Sequence, residues 1–251
     1  MQIAAREILT TQRQQEPVAW WGFYVEALEA GATVSMAKSG SPPTVSLENS
    51  VDGGRTWSSF DADGGTTTVT LAKARNRAYF RAVTTNARLA SSTSVYHKFV
   101  FGKSVAVGGN ILSLLSSAEI SAFPSTASSA RYCLSCLFYG AKTLVDASAL
   151  VLPDSAMPQY CYSYMFDGCT SLTAAPALPA TTLADYCYQQ MFQRCSTLRQ
   201  ITTAHTAWSP TNATTNWVSG VSSRGTFTCP AALPQTRGAS YIPTGWTIVT
   251  T

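Results

Sequence analysis

Paired cysteines are the residues of this chain best suited to chemistry. "YCYSYMFDGCTSL" (160–172) is followed by "YCYQQMFQRCSTL" (186–198), so Cys161 and Cys169 recur as Cys187 and Cys195 at the same offsets. A thiolate pair could hold zinc or cycle between dithiol and disulfide, but zinc needs ligands converging at short spacings, ideally with histidine nearby. Only Cys133-x-x-Cys136 has that spacing; no second pair answers it, and His97 and His205 lie outside the repeated segments. Recurrence at a fixed period points instead to a stacked repeat whose interior takes the same small apolar side chain each time. No metal and no cofactor are expected, and the repeated cysteines are predicted to be buried free thiols. Cys229 makes the count seven, which leaves no obvious disulfide framework.

Other catalytic patterns are missing. There is no G-x-S-x-G, and the pairs Gly53–Gly54, Gly64–Gly65 and Gly108–Gly109 read as turns rather than phosphate loops. "SVDGGRTW" (50–57) fits the S-x-D-x-G-x-T-W hairpin motif that sialidase propellers carry in several copies. One copy, with no carboxylate pair standing out among 13 acidic residues, predicts a hairpin staple made by Ser50, Asp52, Gly54 and Trp57. No glycosidase centre is expected, and the chain is predicted not to be an enzyme.

The elements that hold these residues divide the chain into four. Residues 1–22 carry four glutamines and a proline break at Pro17, and read as an N-terminal arm. Residues 23–103 contain short runs rich in Val, Thr, Tyr and Phe, such as "TTTVTLA" and "RAYFRAV", separated by turn signals such as "VDGG". They predict an antiparallel, immunoglobulin-like β-sandwich. Residues 104–203 are periodic: Tyr132, Tyr160 and Tyr186 open equivalent segments 28 and then 26 residues apart. The rows Cys133–Leu137, Cys161–Met165–Cys169 and Cys187–Met191–Cys195 step by four. Beside them run Phe138, Phe166 and Phe192, and each segment is followed by Leu144, Leu172 or Leu198. Steps of four drift slowly around an α-helix, so the spacing predicts one helix and one short strand per copy, with Pro158 and Asp185 at helix starts. The fold class expected is therefore α+β: sandwich, short helix-and-strand solenoid, and a tryptophan-rich cap over 204–251.

The repeat phrase "YCYSYMFDGCTSLTAAPALPATTLADYCYQQMFQRCSTL" and the ending "AWSPTNATTNWVSGVSSRGTFTCP" resemble the BspA-like leucine-rich repeats of bacterial surface proteins and related phage proteins. Arg194 departs from the pattern, standing where Gly140 and Gly168 sit in the other copies. The resemblance implies surface display, adhesion and partner binding without catalysis.

Charge and hydropathy narrow the partners. Seventeen basic residues are scattered without a run, against 12% charged residues in all, which disfavours nucleic acid. No apolar stretch is long enough to span a membrane, and the first residues lack the apolar core of a secretory signal. A phage structural protein needs no such signal, because virions assemble in the cytosol. The expectation is a virion-surface protein (capsid decoration, head fibre or tail appendage) of a phage of gut bacteria. Its partners would be other virion proteins through the N-terminal arm, with a host surface protein or glycan and a homo-oligomer as further options. A secreted bacterial adhesin is the rival reading.

Overall fold

The structure, a computed structural model, describes residues 22–63, 66–118, 120–123 and 128–251. Trp21 and nearly all of the expected arm lie outside them. Eight strands come first: β1 (Phe23–Ala27), β2 (Ala32–Ser39), β3 (Leu47–Ser50), β4 (Ser58–Phe60), β5 (Val69–Leu71), β6 (Arg77–Ala82), β7 (Tyr96–Phe101) and β8 (Val105–Asn110). Then follow β9 (Leu144–Val151), β10 (Gln200–Thr202), β11 (Thr226–Cys229) and β12 (Thr247–Thr250). The strands form three open sheets, ordered β4-β3-β6-β1-β8-β9, β5-β2-β7 and β10-β11-β12.

Alternation builds the first two sheets. Phe23, Val25 and Ala27 on β1 are buried while Tyr24 and Glu26 between them are not, and Phe80 on β6 and Phe99 on β7 point inward likewise. Phe23 and Phe80 each meet Phe99 at 5.2 Å between ring centroids, so aromatic edges and faces bind the two sheets together. Ser113, which interrupts the longest apolar run, lies in the 3-10 turn Ile111–Leu114; its Oγ accepts from the Phe23 amide and donates to the Phe80 carbonyl. The six-stranded sheet does not stop at residue 103: β8 pairs with β1, and β9 pairs in parallel with β8.

The helix-per-repeat solenoid is overturned. Among the described residues the only helical elements are two short 3-10 turns, Ile111–Leu114 and Ser128–Ala130, and the chain is nearly all β and turn. The segments expected to be helices are ribbons of successive turns. Every fourth residue has positive φ: Tyr132, Cys136 and Gly140; Tyr160, Tyr164 and Gly168; Tyr186, Gln190 and Arg194. An α-helix needs negative φ at every residue, so it cannot persist through these positions. Backbone amides alternate in use. Those of Cys161, Ser163, Met165, Asp167 and Cys169 close turns onto the carbonyls three residues back. Those of Tyr160, Tyr162, Tyr164, Phe166 and Gly168 reach across to Asp185, Cys187, Gln189, Met191 and Gln193 of the next copy. The row Cys161–Met165–Cys169 thus faces inward because the turn period is four, not because a helix drifts slowly.

Pro158 and Asp185 cap no helix; the Pro158 carbonyl accepts from Cys161 and the Asp185 carbonyl from Tyr160. Leu144 opens β9, but Leu172 is followed only by isolated bridges at Ala174 and Leu178, and β10 begins two residues after Leu198. Residues 210–220 add a further ribbon of the same kind, with positive φ at Asn216 and Gly220 and amides of Tyr188, Gln190, Phe192 and Arg194 bonded to its carbonyls. A single aromatic spine links the sheets to these ribbons: Phe99, Phe138, Phe166, Phe192, Trp217 and Phe227, with neighbouring centroids between 5.2 and 6.2 Å.

Candidate functional site

Inside the ribbons, every residue of the expected repeat core is buried. Cys133, Leu137, Phe138, Leu144, Cys161, Met165, Phe166, Cys169, Leu172, Cys187, Met191, Phe192, Cys195 and Leu198 are all 0% exposed. All seven cysteines are free and buried. Cys133 Sγ lies 3.1 Å from Cys161 Sγ, while Cys169 and Cys195 donate to the carbonyls of Phe138 and Phe166 in the preceding copy, at 3.1 and 3.0 Å. Burial pushes the thiols of Cys136, Cys169 and Cys187 up to about 12, and those of Cys161 and Cys195 well above the usual thiol value. A thiol that stays protonated is a poor nucleophile at neutral pH. Among the described residues no three His, Cys, Asp or Glu side chains cluster as a metal site.

The hairpin residues converge on Asp52. Its Oδ1 accepts from the amides of Arg55 and Thr56, both at 3.0 Å, and from Ser50 Oγ at 2.7 Å; its Oδ2 accepts from Thr56 Oγ1 at 2.6 Å. Ser50 Oγ in turn accepts from the Gly54 amide, and Trp57 Nε1 donates to the Gly54 carbonyl. Gly53 and Gly54 hold φ of 79° and 87°, which only glycine adopts freely. Hydrogen bonds from Thr56 above all, then Ser50, hold the Asp52 carboxyl well below the usual range. Both carboxylate oxygens are spent on the turn itself.

Both imidazoles are buried inside the fold. His97 is buried on β7, with Nδ1 3.0 Å from the Leu89 carbonyl and Nε2 2.8 Å from Asp63, so it ties the loop after β4 to β7. His205 is buried against Trp208 and Trp217; its Nδ1 meets Thr203 Oγ1, its Nε2 has no partner, and burial lowers its pKa to about 4.

Two features of the outer surface are not evident from the cysteine pattern. Tyr132, Tyr160 and Tyr186 stack ring on ring along the outside of the ribbons, at 4.4 and 4.6 Å, and Arg131 lies over the first two rings. Their shared offset marks them in the sequence as copy starts; the in-register bonding of one copy to the next makes them a ladder. Arg194, the residue in the glycine row, reaches across one layer to Asp167, which is 1% exposed in its side chain. The chain matches no family model, no curated protein and no solved structure.

Proposed function

We propose that this chain is a non-enzymatic structural protein of a phage particle, displayed outward on the virion surface, with a role in binding a host surface. The observation that supports this best is the fate of its reactive groups. Thiols, imidazoles and the Asp52 carboxylate are consumed by packing and turns, while successive copies present repeated side chains outward. That arrangement suits recognition rather than turnover. The resemblance of the repeat phrase to BspA-like surface proteins supports the same reading, and residues 1–22 are proposed to attach the chain to another virion protein.

Immunogold labelling of particles released by lysis tests the location: gold on particles is expected. Gold on the bacterial envelope, with none on particles, would establish the secreted-adhesin reading instead. Deleting residues 1–18 should leave the melting temperature unchanged and remove the protein from particles. Normal incorporation of the shortened chain would place attachment elsewhere.

A further inference from the structure

Charge is distributed unevenly along this chain. Through Asp185 there are 13 basic and 13 acidic residues; after it there are no acidic residues and four arginines, Arg194, Arg199, Arg224 and Arg237. The whole net charge of +4 therefore belongs to the last ribbons and the third sheet. Two of the four guanidinium groups are used internally. Arg194 pairs with Asp167, and Arg237 Nη1 donates to the carbonyls of Pro243 and Trp246 at 3.1 and 2.9 Å. Arg199 and Arg224 are exposed, and among the described residues neither has an acidic partner. Both line the same depression of about 520 Å³, with Ser222, Ser223 and Thr226.

The floor of this depression is closely packed and hydrogen-bonded. Gly225, next to Arg224 at the entry to β11, is packed between the Arg199 backbone and Trp246, and a Cβ there would come within 2.6 Å of the Arg199 carbonyl oxygen and 2.7 Å of the Trp246 ring. Only glycine permits that approach, which sets the segment carrying Arg224 against the segment carrying Arg199 in the adjacent layer. The Thr226 amide bonds the Arg199 carbonyl at 2.8 Å, the Thr247 amide bonds that of Gly225 at 2.8 Å, and Trp246 Nε1 fixes the Ser222 carbonyl at 2.7 Å. Ser222 and Ser223 also line a neighbouring depression of about 230 Å³ that extends to Ser219 and Thr244.

We propose that this surface is a binding site for an acidic saccharide, the two guanidinium groups taking its carboxylate or sulfate and the serine and threonine hydroxyls its sugar hydroxyls. Guanidinium forks match planar or tetrahedral oxyanions in two-point contacts, and a hydroxyl-lined trough continuing past them fits more than one sugar ring. Two cations on a polar floor are too few for the phosphate backbone of a nucleic acid. The inference gives a ligand class to the surface-binding role proposed above, and purified protein tests it independently of any particle.

Calorimetric titration of the full chain with sialyllactose, sulfated lactose, lactose and inorganic sulfate provides the test. At least one acidic sugar should bind ten times or more tighter than lactose and than inorganic sulfate, and lose affinity in 0.5 M salt. Arg199→Ala and Arg224→Ala should each weaken that binding about tenfold without shifting the melting curve, whereas Arg75→Ala should leave it unchanged. Equal binding of lactose, equal binding of inorganic sulfate, retained binding by the double variant, or no binding of either acidic sugar at 10 mM would each overturn the proposal. Each of these outcomes leaves the location on the particle to be decided by gold labelling.

Discussion

Arg194 holds Asp167 across one layer of the ribbons, with Nε 2.9 Å from Oδ1 and Nη2 2.7 Å from Oδ2. The guanidinium end is more than half exposed while the carboxylate is 1% exposed, so the arginine acts as a lid on a buried charge. Burial raises the Asp167 pKa and Arg194 opposes that rise. To do so Arg194 takes φ of 61°, in the row that Gly140, Gly168 and Gly220 fill in the other layers. The conformation costs about 1 kcal/mol for a residue with a Cβ.

Arg194→Gly should therefore relieve the backbone yet lower stability by about 2 kcal/mol, because Asp167 is left charged and unpaired. Adding Asp167→Asn should recover most of the loss. Urea melts of the two single variants and the double variant measure the coupling; simple additivity would mean that the pair contributes nothing.

Burial of the thiols makes labelling a probe of folding. Native protein should react slowly with a thiol reagent at pH 8 and rapidly in denaturant, because Cys161, Cys169, Cys187 and Cys195 are 0% exposed. Met191→Asp should cost more than about 4 kcal/mol and give fast labelling without denaturant, since it would place an unpaired carboxylate among 0% exposed neighbours.

His205 sets a pH dependence. Its folded pKa of about 4 lies below the unfolded value of 6.5, so the unfolded chain binds the extra proton first as pH falls. Stability should be unaffected above about pH 7, decline as pH falls from 6.5 towards 4, and lose roughly 3 kcal/mol from this group in all. Chemical melts at pH 7, 5.5 and 4.5 should show the decline, and His205→Asn should flatten it. An unchanged slope in that variant would assign the effect to other groups.

The positions that face inward are legible in the sequence because a step of four in Cys161–Met165–Cys169 repeats in Cys187–Met191–Cys195. The backbone carrying them is not, since apolar residues four apart fit a slowly drifting helix and a four-residue turn alike. Composition held the deciding signal. Tyr, Cys and Ser, which dominate 160–164, are middling helix formers, and Gly140 and Gly168 recur where a third helical turn would need continuity. Strands were clearer: Val69 and Leu71 alternate with Thr70 in the sequence and are buried on β5 while Thr70 is exposed. Arg199 and Arg224 escape any local motif. They stand out only when charge is counted by region and the close approach of Gly225 to the Arg199 backbone is seen.

The alternating amides give each ribbon a direction. Within the ribbons, the outward-reaching backbone amides of one copy face the carbonyls of the next, from Cys136 to Ser163 and on through Tyr164 to Gln189 and Gln190 to Thr215. At the first copy, Leu137 and Cys133 offer their carbonyls to Phe99 on β7 and to Leu89; at the last, the amide of Val218 goes to Ala239. Every internal ribbon thus has one side of backbone donors and one of backbone acceptors, and the two ends are closed by different parts of the chain. A gene could gain or lose a whole internal copy by unequal recombination and still find both junctions complementary. Such a chain could change its length in steps of one copy, keeping the first two sheets at one end and the arginine-lined surface at the other unaltered.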